Sequence, residues 1–97
     1  MSIDYFFADP VDFEEVVQEA KSLGLSVEST PESRSRSAVV LFDGDSYVWL
    51  FRTRRGQPQL TRFGRNREKN ILDKLRSVGY TIYSEYEVGH YREELGG

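Results

Sequence analysis

The chain has 97 residues, no cysteine, one histidine and a formal net charge of −3. That length fits one domain with one modest core, and the missing thiols exclude disulfide staples and thiolate metal sites. The start, Met1-Ser2-Ile3-Asp4-Tyr5-Phe6-Phe7, lacks a basic leader segment, and no stretch approaches the ~20 apolar residues of a membrane span. The expectation is one soluble cytoplasmic domain over 1–97, with no membrane association and 89–97 as a polar tail. The small net charge hides a division. Residues 1–33 hold eight acids against one base, and residues 52–76 hold nine bases against two acids.

In chain order, Ile3–Ala8 reads as a short aromatic strand. Asp9-Pro10-Val11-Asp12 is a helix start, with Asp9 as cap and Pro10 in the first turn. Phe13, Val16, Val17, Ala20 and Leu23 then form one apolar stripe, and Gly24 ends the helix. Leu25–Ser29 is a strand, and Thr30–Ser37 is a polar loop. Ala38–Phe42 and Tyr47–Phe51 are strong strands joined by the turn Asp43-Gly44-Asp45-Ser46. Arg55-Gly56-Gln57-Pro58 is a second turn, and Gln59–Phe63 is a strand that Pro58 marks as an edge. A second helix starts near Asn66 as cap, with the stripe Ile71, Leu72, Leu75, Val78, and ends at Gly79. Tyr80–Val88 alternates as a last strand.

The two helix ends echo each other. Lys21-Ser22-Leu23-Gly24 and Arg76-Ser77-Val78-Gly79 stand at a constant offset of 55 residues. Two such βαβ halves suit a ferredoxin-like α+β sandwich. It would place two helices on one face of a mostly antiparallel sheet, with an extra central hairpin strand. A TBP-like order is the alternative.

No nucleophile–base constellation, phosphate loop or metal-ligand spacing is present, so no enzyme, cofactor or metal is expected. His90 stands alone in the tail. Glu85 with Glu87, and Asp43 with Asp45, are read as ordinary surface and turn residues. Two features point to binding. First, Arg62-Phe63-Gly64-Arg65-Asn66-Arg67-Glu68-Lys69 puts bases where the helix dipole favours acids, a local conflict that a bound anion would remove. With Arg52, Arg54 and Arg55 on the preceding hairpin, the candidate anion-binding set is Arg52, Arg54, Arg55, Arg62, Arg65, Asn66, Arg67 and Lys69. Pairing Arg54 with Gln57 sets Trp49 opposite Arg62 and joins these residues in one basic ribbon.

Second, the central hairpin is apolar on both faces. Ala38, Val40, Phe42, Tyr47, Trp49 and Phe51 share one face, and Val39, Leu41, Val48 and Leu50 share the other. Two helices cover only one face. Large aromatics favour the aromatic face as core; if it is open, Tyr47 and Trp49 are candidate stacking platforms. The leading expectation is a small non-catalytic module that binds a polyanion, nucleic-acid backbone or another phosphate-bearing ligand. The alternative is a protein-interaction, inhibitor or regulatory module, possibly a homodimer, that uses complementary acidic and basic surfaces.

Overall fold

A computed structural model describes residues 2–29, 38–53 and 56–87. The elements run β1 (Ser2–Phe7), α1 (Phe13–Ser22), β2 (Ser26–Glu28), β3 (Ala38–Asp43), β4 (Ser46–Arg52), β5 (Pro58–Phe63), α2 (Lys69–Ser77) and β6 (Ile82–Ser84). The strands form one six-stranded sheet in the order β2-β3-β4-β5-β1-β6, and every neighbouring pair is antiparallel. β2 and β6, each three residues long, are the two edges. Short edge strands leave few unpaired backbone groups for another chain to join.

Both helices pack on the same face. The core joins Phe13, Val16, Val17 and Ala20 of α1 and Ile71, Leu72 and Leu75 of α2 to Tyr5, Leu41, Val48, Leu50, Leu60 and Ile82 of the sheet. Leu41, Leu50, Leu60, Ile71 and Leu75 are fully buried. Each contributes roughly 1.5–3 kcal/mol by leaving water. The helices therefore cover the aliphatic face, and the expectation of an aromatic core is corrected. Thin β-branched and leucine side chains on the sheet let the helix stripes approach closely. The rings of β3 and β4 take the other side.

The two helix ends are built alike. Gly24 and Gly79 both adopt positive φ, at 83° and 107°. The amide of Leu25 donates to the Ala20 carbonyl, and that of Tyr80 to the Leu75 carbonyl. Both are the six-to-one bond of a helix closed by a left-handed residue. Each closure feeds an edge strand, so the 55-residue echo corresponds to two β-α-β units, β1-α1-β2 and β5-α2-β6.

Several boundaries differ from expectation. α1 begins at Phe13 with Asp12 at its N-cap position, not at Asp9-Pro10. α2 begins at Lys69 with Glu68 at its N-cap position, not near Asn66. Val78 is 43% exposed rather than buried, because the helix has already ended there. β6 stops at Ser84, and residues 85–87 form a turn whose Glu85 amide still donates to the Asp4 carbonyl of β1. Pro58 does not mark an edge, since β5 lies between β4 and β1. It occupies the first position of its strand, where a missing N–H is tolerated.

Candidate functional site

The β4–β5 register decides where the arginines point. Trp49 pairs with Thr61, Leu50 with Leu60, Phe51 with Gln59 and Arg52 with Pro58. The Thr53 amide donates to the Gln57 carbonyl, and the Gly56 amide to the Thr53 carbonyl, with Gly56 at φ 82°. The connection is one residue longer than the two-residue turn expected from Arg55-Gly56. Trp49 consequently does not face Arg62. A one-residue slip moves every side chain of a strand to the opposite face. Arg62 joins the helix side, and the continuous basic ribbon is not formed.

Arg52 lies across α1. Its Nη2 is 2.7 Å from Glu14 Oε1, and its guanidinium carbon is 4.8 Å from the centre of the Phe13 ring. Arg62 is nearly buried, with its Nε 3.7 Å from Glu68 Oε2. That separation is too long for a hydrogen bond, and the Nε has no hydrogen-bond partner among the described residues. Both arginines are thus held by acids of the same chain. Arg54 and Arg55 lie outside the described residues.

Glu68 was not among the expected site residues, yet it is the hub of this end of the fold. It is only 4% exposed. The Tyr5 hydroxyl donates to its Oε1 at 2.8 Å. The Asn66 amide, turned so that its nitrogen faces the carboxylate, donates to the same group. A negative charge at the N-terminus of α2 also suits the helix dipole. The conflict read from the basic sequence is therefore partly met by one buried carboxylate. Asn66 serves that carboxylate rather than capping the helix.

Burial and the Glu68 carboxylate push the Tyr5 hydroxyl up to about 12 from its ordinary value near 10. Burial, with Glu15 and Glu19 nearby, also raises Tyr80. The unfolded chain sheds the Tyr5 proton above about pH 10, whereas the folded chain holds it until about pH 12. Stability is expected to be level below pH 10 and to fall from pH 10 to 12. Urea melts across that range, repeated with Tyr5→Phe, check this: the variant should lose part of the dependence.

The remaining bases form a smaller group. Arg65 and Lys69 are exposed and Arg67 is half-buried, and none of the three makes an ion pair with another described residue. Their position is set by the backbone: the Tyr47 amide donates to the Arg67 carbonyl at 2.9 Å. The segment from β5 to α2 therefore passes the start of β4.

That corner borders the sheet face without helices. Pairing register places Phe42, Tyr47, Trp49 and Phe51 on this face, with Phe63, Phe6 and Tyr83 continuing it across β5, β1 and β6. Trp49 and Phe51 stack with ring centres 5.8 Å apart, and Phe63 stands edge-on to Trp49 at 5.7 Å and to Phe51 at 6.3 Å. Phe42 and Tyr47 form a second pair at 6.1 Å, and Phe6 and Tyr83 a third at 5.9 Å. None of these seven rings belongs to the helix-covered core, and Phe63 is 43% exposed. Tyr47 and Trp49, the expected stacking residues, are half-buried members of this larger surface.

Among the described residues no group of three His, Asp or Glu side chains could hold a metal ion, and no helix is long and apolar enough to cross a membrane. Asp43 pairs with Lys74 at 2.9 Å, and Glu87 accepts from the Ser84 hydroxyl. His90 and the 89–97 tail lie outside the described residues. No family model, curated protein or solved structure matches this chain.

Proposed function

We propose that the chain is a non-catalytic binding module for single-stranded nucleic acid, with bases on the aromatic sheet face and phosphates on Arg65 and Arg67. The observation that carries this reading is the juxtaposition at one corner of the sheet. Phe63 closes the Trp49–Phe51–Phe63 ring cluster and leads directly to Arg65 and Arg67, which have no ion-pair partner among the described residues, and the Arg67 carbonyl accepts from the Tyr47 amide; Lys69 instead lies with Ile3 and Tyr5 on the helix side. Base–aromatic stacking contributes roughly 1–3 kcal/mol per base and needs an open π-face, which duplexes do not offer. We read the strand order as a ferredoxin-like arrangement widened by the β3–β4 hairpin, which extends the helix-free face.

Only part of the acidic first third faces the rings: register puts Asp4 and Glu28 on the aromatic face, whereas the acids of α1 lie on the other side. α1 carries Glu14 and Glu15 on the helix side of the sheet, so the sheet stands between them and the rings. Arg52 and Arg62 leave the proposed contact set because Glu14 and Glu68 hold them. The phosphate contacts are backbone contacts and carry no sequence information.

The test is binding of a 12-nucleotide single strand and of its duplex at low and raised salt, with light scattering on the free protein. The single strand should bind more tightly, and affinity should fall as salt rises. Arg65→Glu with Arg67→Glu should weaken binding about ten-fold or more with the fold retained. A dimer that retains neither nucleic acid would contradict the reading and assign the aromatic face to a protein partner.

A further inference from the structure

A polar strip crosses the aromatic face between its ring groups. Asp4 of β1 pairs in register with Thr61 of β5, and Thr61 pairs with Trp49 of β4. Gln59 lies two residues before Thr61 on the same face, between Phe51 and Phe6. These side chains form an oriented relay. Gln59 Nε2 donates to Thr61 Oγ1 at 3.3 Å, and Thr61 Oγ1 donates to Asp4 Oδ1 at 2.8 Å.

The orientation fixes what the strip still offers. Thr61 is 4% exposed, and its one proton goes to Asp4. Asp4 is half-buried and makes no ion pair with another described residue. The second carboxylate oxygen of Asp4, a further lone pair on Oδ1 and the Gln59 Oε1 have no donor among the described residues and remain as acceptors. A strip of this kind, set among rings, asks for donors. Phosphate is refused there, and the free bases stand at the corner instead.

Resting on the nucleic-acid reading, we propose that Asp4 selects the base seated beside Phe63 and Phe6 by its N–H donors, with guanine preferred. The guanine Watson–Crick edge carries N1–H and an N2 amino group side by side, which match the two oxygens of a carboxylate. Cytosine and adenine each offer one amino group there. Uracil and thymine set two carbonyl oxygens against the carboxylate, with one N–H between them. In a single strand this edge is free to be read. Ring stacking holds any base, so the strip adds preference to a sequence-tolerant surface.

The experiment titrates the protein with the heptanucleotide U7 and with U7 carrying one central guanine, and reads Trp49 emission. The guanine-containing strand should bind about ten-fold more tightly, the size of one good bidentate contact. Asp4→Asn preserves an acceptor for the Thr61 hydroxyl and should bring the two affinities within two-fold, with U7 binding retained. Equal affinities for the wild-type protein, or a preference that survives Asp4→Asn, would overturn the inference and leave the binding reading standing. Failure of both strands to bind would overturn the reading itself. The wild-type comparison needs no variant, so the inference stays testable even if Asp4→Asn does not fold.

Discussion

Replacing Glu68 with alanine is expected to destabilise the domain by about 3–5 kcal/mol, a large share of the roughly 5–15 kcal/mol available to a chain of this size. The residue is small in the sequence and large in the structure. Its carboxylate accepts from Tyr5 on β1, faces Arg62 on β5 and stands at the N-terminus of α2. β1, 63 residues away at Tyr5, therefore meets the consecutive elements β5 and α2 on one group. Removing it leaves the Arg62 guanidinium, which is almost wholly enclosed, without its counter-charge. An uncompensated buried charge is more costly than the pair is worth. Glu14→Ala supplies the contrast. Its partner Arg52 is 41% exposed and Glu14 itself 68% exposed, so that ion pair should contribute under about 1 kcal/mol. Urea denaturation of both variants checks the difference, and a loss at Glu68 no larger than that at Glu14 would contradict the account of this end of the fold.

The second large effect is on binding. Phe63→Ala should weaken single-strand binding about ten-fold or more, as expected for one lost stacking contact. The same substitution should change stability little. Phe63 is the most exposed ring of the aromatic face and lies outside the core. It touches Trp49 and Phe51 edge-on, so its loss also frees the rings that remain. A melting temperature near that of the parent together with lost binding separates a ligand surface from a packing surface. Unfolding on Phe63→Ala would return the rings to a structural role.

Most of the fold was legible because it rests on local signals. The apolar stripes of both helices, the paired glycine closures and the Asp43–Ser46 hairpin follow from spacing alone, and the structure has each of them except Val78 at the end of the second stripe. The helix starts were less legible. Asp9-Pro10 and Asn66 carry the residue types of caps, yet the first stripe residues, Phe13 and Ile71, sit close to the true N-cap positions Asp12 and Glu68. Residue type alone placed the first cap three residues early and the second two residues early.

The site was legible only in part. Tyr47 and Trp49 were placed on the correct shared face, because strand alternation fixes that. Phe6, Phe63 and Tyr83 were missed, because joining them requires the β5-β1-β6 order. Arg62 was misplaced through a single residue of loop length, which no property of Arg55-Gly56 reveals. Glu68 had one weak signal, an acid immediately before the second apolar stripe. Its partner Tyr5 lies 63 positions away and could not be inferred from spacing.

Trp49 is the only tryptophan of the chain and stands inside the proposed binding surface, in contact with Phe51 and Phe63. Its emission is the most direct probe of the central claim. A 12-nucleotide single strand added at low salt should shift or quench Trp49 emission to saturation, and added salt should reverse the change. Emission unchanged through high micromolar strand, or altered only by raising the protein concentration, would contradict the claim.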